Sequence, residues 1–415
     1  MTDGASPSSP LRAYCAVTAA YWAFMLTDGA LRMLVLLHFN ALGFSPVQLA
    51  WLFLLYELAG IVTNLYAGWL AARFGLAATL YGGLVLQIAA LAALAQLNPA
   101  WSVGASVAFV MAVQGVSGVA KDLAKMSSKS AVKLLAPDGD AGLFRWVAAL
   151  TGSKNAVKGI GFFLGAALLG IWGFTAAIWG MAAVLGVILI AVAVFLPSGL
   201  PVRDTAAKFT GWKSSDPRVQ RLSLARMFLF GARDVWFVVG VPVYFQMVLS
   251  DGSTEGRRWA FFVIGGFLAL WIILYGAVQA AAPRIIRATG PDVVTKAIRW
   301  AGYLVPIPFA LAAVVWMAGG PADWLTVTLV LGLLVFGFVF AINSAVHSYL
   351  ILAFGDASRI SRDVGFYYMS NAAGRLLGTL LSGVSYQLGG LPLCLATAGV
   401  MAAMAWVAAL RLKGA

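Results

Sequence analysis

Runs of about twenty apolar residues recur from one end of this chain to the other, each long enough to cross roughly 30 Å of hydrocarbon as a helix. Bounded by Gly, Pro and charge, they fall near residues 13–39, 46–71, 77–97, 101–123, 143–171, 174–196, 222–249, 259–282, 293–318, 323–354, 364–388 and 391–410. A β-barrel would need strands of about ten residues in strict alternation, which these are not. With 62% hydrophobic and 10% charged residues, a soluble fold is excluded. The expectation is an all-α membrane protein of about twelve transmembrane helices in two six-helix halves. The opening "MTDGASPSSP" has neither a basic stretch nor a cleavage motif before a short apolar core, so the first span is expected to serve as the insertion signal.

A polar stretch, 197–221, divides the spans six and six, giving halves 1–196 and 222–415 joined by a linker expected on the cytoplasmic side. Eighteen basic residues, from Arg12 to Lys413, fall on the side of the N-terminus, and only Arg257 and Arg258 on the other. That bias predicts both termini in the cytoplasm, and it absorbs most of the net charge of +13. The remaining eight, Arg32, Lys154, Lys158, Arg226, Arg233, Lys296, Arg299 and Arg375, lie within spans or at their edges.

The halves resemble each other. An offset of 206 superposes span 1 on span 7, aligning Asp28 with Asp234 and Phe39 with Phe245. An offset of 217 superposes "SKNAVKGIG" (153–161) on "SNAAGRLLG" (370–378), so that Gly161 meets Gly378 and Lys158 meets Arg375. A duplicated six-span unit places a binding site between the halves near the midplane.

Charge inside a bilayer costs about 2.5 to 3.5 kcal/mol per group on insertion scales, so each buried charge needs a partner or a use. In "LTDGALRMLVLLHF" (26–39), Asp28 and Arg32 stand one helical turn apart, and mutual neutralisation is expected there, as a structural pair or at a cavity. Span 7 carries Arg226 and Arg233 on one face, with Asp234 beside the second. On span 2, Glu57, Gly60 and Asn64 share a stripe; Glu57 is either a solitary proton carrier or an acid bonded to Asp28, Arg32 or span 4. Lys121, Lys125, Lys129 and Lys133 recur every four residues on span 4, with Asp122 adjacent and Gln114, Ser117 and Gly118 deeper on the same stripe. The first two lysines are assigned to the inner mouth of a cavity and the last two to a solvated helix end.

Span 5 adds Lys154 and Lys158 among Gly152, Gly159, Gly161 and Gly165; span 11 adds Asn371 and Arg375 among Gly374, Gly378 and Ser382. The small residues are expected to let helices approach closely. Asn343 and His347 lie one turn apart on span 10. Arg32, Lys121, Lys125, Lys154, Lys158, Arg226, Arg233, Asn371 and Arg375 are therefore the substrate-binding candidates, and Asp28, Glu57, Asp122, Asp234 and His347 the coupling or gating candidates. Cations outnumber acids in this zone, so the cavity is expected to hold a multiply charged oxyanion against otherwise unpaired cationic heads.

Other chemistries find little support. Two His, two dispersed Cys (Cys15 and Cys394) and no HExxH or CxxC give no metal site, no Walker sequence serves a nucleotide, and no nucleophile sits beside a base. Neither an enzyme nor a cofactor is expected, and the charge distribution does not indicate nucleic acid.

Twelve spans in two similar halves resemble the major facilitator superfamily. "GWLAARFG" (68–75) is similar to that superfamily's span 2–3 loop signature at Gly68, Arg73 and Gly75, with Ala72 at its acidic position. More narrowly, "YWAFMLTDGALRMLVLLHF", "AKDLAKMSSKSAVKLL", "LTGSKNAVKG", "LFGARDVWFVV" and "GGFLALWIILYGAVQA" resemble the organoarsenical efflux permeases of that superfamily, the ArsJ family. The resemblance implies an exporter, and the protein is expected as a monomer in a bacterial cytoplasmic (inner) membrane. Its implied cargo is 1-arseno-3-phosphoglycerate, supplied by glyceraldehyde-3-phosphate dehydrogenase acting with arsenate, and its implied phenotype is arsenate resistance. Beside it stand an organophosphate or sugar-phosphate exchanger, and a receptor or scaffold that transports nothing.

Overall fold

The computed structural model describes residues 8–135, 140–196, 214, 216–286, 292–354 and 360–414, and within them all side chains but those of 8–15, 67, 68, 71, 72, 76, 129–135, 140–152, 292, 352 and 360–362. The described residues form helices and no strands. In chain order they are α1 (Ser8–Ala41), α2 (Pro46–Trp51), α3 (Leu54–Leu94), α4 (Val103–Leu135), α5 (Asp140–Trp172), α6 (Phe174–Phe195), α7 (Pro217–Val235), a π-helical turn (Trp236–Gly240), α8 (Val241–Leu249), α9 (Thr254–Ile286), α10 (Asp292–Leu304), α11 (Pro306–Ala318), α12 (Asp323–Phe354) and α13 (Ile360–Leu410). Eleven stretches are long and apolar enough to cross a membrane. One, Asp363–Lys413, is interrupted at Gly389 and Gly390 and supplies two crossings, so the twelve expected spans are all present.

Local chemistry explains where helices start, stop and bend. Ser45 caps α2 in a reciprocal box: its hydroxyl accepts from Gln48 N–H, while its own N–H donates to Gln48 Oε1 at 2.9 Å. The polypeptide turns from the second span into the third at Gly75 (φ 74°) and from the eleventh into the twelfth at Gly390 (φ 60°), left-handed conformations that a side chain disfavours. Pro306 has no N–H to continue a helix, and it divides the ninth span into α10 and α11. α4 runs twelve residues beyond the expected end of its span, because "KDLAKMSSKSAVKLL" contains no helix breaker before Pro137.

The π turn loosens backbone hydrogen bonding in the middle of the seventh span, and side chains from α13 repair it. Ser382 Oγ accepts from the N–H groups of Val239 (3.2 Å) and Gly240 (3.1 Å), and the Cys394 thiol donates to the carbonyl of Val235 at 3.0 Å. Cys394 is thus a buried packing residue, as its apolar context suggested; the side chain of Cys15 lies outside the described residues.

Spans 1 and 7 form the centre, with 78% and 83% of their apolar windows buried, whereas spans 6 and 9 are peripheral, at 28% and 33%. The aligned glycines do equivalent work in the two halves. A Cβ on Gly161 would lie 2.4 Å from the carbonyl oxygen of Leu26 in α1, and one on Gly378 would lie 2.7 Å from that of Gly231 in α7. α5 packs in this way on α1, and the first part of α13 on α7. The two sets of spans meet along two seams, α5 against α9 and α2–α3 against α13. At one end Asn40 donates to Gln246 Oε1 at 2.7 Å; these residues are 206 apart, the repeat offset, so equivalent positions meet. Val47 N–H donates to Gln387 at the same end.

Gly161→Leu and Gly378→Leu are predicted to destabilise the purified protein by about 2 to 3 kcal/mol in thermal unfolding, since backbone rather than a flexible side chain opposes the new atoms. Gly104→Ala, which meets open space, should change stability by less than about 1 kcal/mol.

Candidate functional site

Between the seams lies a cavity of about 220 Å³, at the end of the bundle opposite the Asn40–Gln246 contact. Its depth follows from position along the spans: Tyr21, Met25 and Arg32 of α1, Glu57, Gly60 and Asn64 of α3, and Tyr368, Asn371 and Arg375 of α13 all line it. All nine substrate-binding candidates, Arg32, Lys121, Lys125, Lys154, Lys158, Arg226, Arg233, Asn371 and Arg375, are on its wall. Among the coupling candidates, Glu57, Asp122 and Asp234 also line it. Asp28 lies behind the wall, paired with the wall residue Lys158, and His347 is not among the lining residues.

The expected Asp28–Arg32 pair does not form. Glycines bring α5 against α1, with the carbonyl of Lys158 where a Cβ of Gly29 would be, and this delivers Lys158 Nζ to within 3.6 Å of Asp28 Oδ2. Tyr56 of α3 donates its hydroxyl to the other carboxylate oxygen at 2.6 Å. Arg32 turns instead to Glu57 Oε1, at 2.9 Å, with its guanidinium 5.0 Å from the Phe53 ring centroid. Glu57 is not solitary, because the same oxygen accepts from Arg375 Nη2 at 2.6 Å. One carboxylate of α3 thereby ties α1 to α13 across the α3–α13 seam.

Arg375 also reaches Asp234 with Nε, at 3.4 Å, and Asp234 Oδ1 accepts from Arg233 at 2.6 Å. The residues aligned by the repeat form equivalent pairs, Lys158 with Asp28 and Arg375 with Asp234. Asp122 accepts a short hydrogen bond from Thr63 and stands 3.5 Å from Lys125, which donates to Asn64 at 2.7 Å. The expectation of unpaired cationic heads is therefore corrected: most have carboxylate partners, since helices packed this closely bring acids from neighbouring spans within reach.

Two cations differ. Among the described residues, Lys121 has no hydrogen bond and no ion pair; its ammonium lies 4.0 Å from the centroid of the Tyr56 ring. Arg226 is held by neutral acceptors only, Nε on Asn371 Oδ1 at 2.9 Å and Nη1 on the carbonyl and hydroxyl oxygens of Ser344 at 3.0 Å, with Phe230 4.0 Å from its carbon centre. Eight cations on the wall face Glu57, Asp122, Asp234 and the adjacent Asp28, a formal excess of four positive charges.

Other residues fall elsewhere. Ser117 and Gly118 pack against α3 instead of extending the lysine stripe into the cavity, Ser117 donating to Gln87 at 2.7 Å and a Cβ on Gly118 meeting the Tyr56 carbonyl, and Gln114 is buried away from the cavity lining. His347 is 1% exposed and neither ring nitrogen has a hydrogen-bond partner. The side chains of Lys129 and Lys133 lie outside the described residues. No group of metal-binding residues occurs among those described.

The sequence reading missed the polar wall contributed by α5, α9 and α12. Asn155 donates to Gln279 at 3.1 Å, Gln279 donates to Ser344 at 2.9 Å, and the hydroxyls of Tyr275 and Ser344 are hydrogen-bonded at 3.1 Å. The available signal was the one-turn spacing of Tyr275 and Gln279 in an otherwise apolar span.

A family model described as Major Facilitator Superfamily matches residues 17–359. The fold is similar over 97% of this chain to a POT family transporter solved in complex with a thioalcohol-conjugated peptide, with 96% of that chain covered, 12% identity and a TM-score of 0.75. It is similar over 98% of this chain to a nucleoside transporter, NupG (99% of that chain, 16% identity, TM-score 0.68), and over 98% to a bacterial homologue of the iron transporter ferroportin in an inward-facing state (99% of that chain, 12% identity, TM-score 0.72). No curated protein sequence matches the chain.

Glu57→Gln is predicted to lower stability by about 3 kcal/mol, because it leaves two guanidinium groups of the cavity wall short of a buried counter-charge. Part of that loss should return in the Glu57→Gln/Arg375→Gln double variant; a thermal-unfolding double-mutant cycle reads the difference.

Proposed function

Because the chain belongs to the Major Facilitator Superfamily, we propose that this membrane transporter carries a multiply charged phosphorylated organoarsenical, 1-arseno-3-phosphoglycerate, out of the cell by alternating access. The observation that carries the reading is the excess of four positive charges on one cavity between the halves. A low-dielectric chamber with such a surplus is stabilised by an anion that brings several negative charges. The cargo implied by the resemblance has an oxyanion at each end, and the wall offers cations from both sets of spans.

The direction of transport fits the same charges. If the basic-rich ends of the spans face the cytoplasm, the cavity opens toward the compartment in which the cargo is made, and the Asn40–Gln246 end is the closed outer side. Moving one negative charge outward across an inside-negative potential releases about 2.3 kcal/mol per 100 mV, so a cargo of about three charges is driven out by roughly 7 kcal/mol. A bound proton or ion is not required for net export. Rocking of the halves about the central cavity then exposes the cargo to the outside.

The test is growth on arsenate of cells lacking arsenate efflux, expressing this protein with or without a glyceraldehyde-3-phosphate dehydrogenase partner. Tolerance is predicted only with both, and Arg226→Ala should abolish it while leaving the protein in the membrane. Tolerance conferred without the partner would overturn the assigned cargo. Exchange of sugar phosphates or phosphate by vesicles, with no response to arsenate, would favour the organophosphate exchanger instead.

A further inference from the structure

The cations of the cavity are segregated by type. The first six spans contribute Lys121, Lys125, Lys154 and Lys158 with one arginine, Arg32, which Glu57 engages; the last six contribute only arginines. Lys121 in the first set has no hydrogen bond and no ion pair among the described residues, and Arg226 in the second is held by neutral acceptors only. Their surroundings differ too. Arg226 is clamped on three neutral acceptor atoms and stacked near Phe230, so its plane is set before any ligand arrives, while the terminal Nη2 makes no protein hydrogen bond. Lys121 rests its ammonium on the face of Tyr56, a contact that imposes no direction on its three donors.

Resting on the anion-transport reading above, we propose that Arg226 and Lys121 are the two ends of an orienting clamp, with Arg226 holding the phosphate of a two-ended anion and Lys121 holding whatever oxyanion lies at the other end. The pre-oriented guanidinium presents the two N–H groups of its free Nη2 to a tetrahedral oxyanion in a fixed direction, and immobilising it beforehand removes much of the entropy that binding would otherwise cost. An ammonium on an aromatic face is a point charge and accepts carboxylate, phosphate or arsenate with little geometric preference. Phosphate is therefore the invariant element of the ligand and the second oxyanion the variable one. The carboxylate-paired cations, Arg32, Arg233 and Arg375 among them, shape the wall and set its potential, and they are not primary ligand contacts.

Non-arsenical probes test this independently of the cargo assignment. Purified full-length protein in lipid nanodiscs is titrated with glycerol 3-phosphate, which has one oxyanion, and 3-phosphoglycerate, which has two, with binding followed by calorimetry. The wild-type protein is expected to prefer the two-ended ligand by about tenfold or more. Lys121→Ala should erase that preference, weakening 3-phosphoglycerate by about tenfold more than glycerol 3-phosphate. Arg226→Ala should weaken both ligands by about tenfold or more. Arg226→Lys, which keeps the charge but loses the fixed guanidinium and its directed Nη2 donors, should also weaken both while keeping their ratio, and it serves if the alanine variant does not fold. Arg218→Ala, at the bundle surface and paired with Asp216, is the control.

Equal loss of both ligands in Lys121→Ala, wild-type affinity in Arg226→Ala or Arg226→Lys, or no binding of either phosphate by the wild-type protein would overturn the clamp. Normal clamp behaviour together with failure of the arsenate growth test would leave the clamp standing and remove only the arsenical cargo.

Discussion

Two buried carboxylates make the rest of this architecture tenable. Glu57 accepts from Arg32 and Arg375 through one oxygen, and Asp234 bonds to Arg233 and stands within reach of Arg375. Each of these groups would be strongly disfavoured alone in a low-dielectric interior, and removing one member of such a set leaves the others stranded. Arg375 touches both acids, so it joins the carboxylate of α3 to that of α7. A polar cavity persists in an otherwise apolar bundle because its wall is partly neutralised from within.

That neutralisation depends on close helix approach, and the approach is made of glycine. Gly29, Gly161 and Gly165 seat α5 on α1, while Gly231, Gly374 and Gly378 seat α13 on α7. Side chains at these positions would push the helices apart and carry Lys158 away from Asp28 and Arg375 away from Asp234. The same geometry, built twice, yields the same kind of ion pair twice. Asn40 and Gln246 mark where the two copies face each other, at the end of the bundle away from the cavity.

Partial neutralisation has a functional meaning that complete neutralisation would lack. A fully compensated wall would bind no anion selectively, and a wholly uncompensated one would not fold in a bilayer. Here the acids stabilise the wall and a positive surplus remains, with Lys121 and Arg226 in contact with aromatic rings and neutral oxygens rather than carboxylates. On the proposed reading, such a surface attracts a polyanion yet needs only to exchange a few contacts to release it, as alternating access requires.

The number of membrane crossings, their boundaries near Gly75 and Gly390, the repeat between the halves and the identity of the cavity cations were legible in the sequence, because hydrophobic length, left-handed glycines and isolated intramembrane charges are local signals. The pairing of those charges was not. Asp28 and Arg32 are one turn apart along the chain, yet each binds a residue from another span, and the choice was made by how closely α3 and α5 approach α1. The hydrogen-bonded set of Asn155, Gln279, Tyr275 and Ser344 was similarly hidden, since polar residues in three separate helices acquire a common role only when those helices meet. Residue type and spacing thus determined which groups enter the membrane, whereas only tertiary packing decided which charges are spent on one another and which are not, because Coulomb energy depends on distance through space and not on distance along the chain.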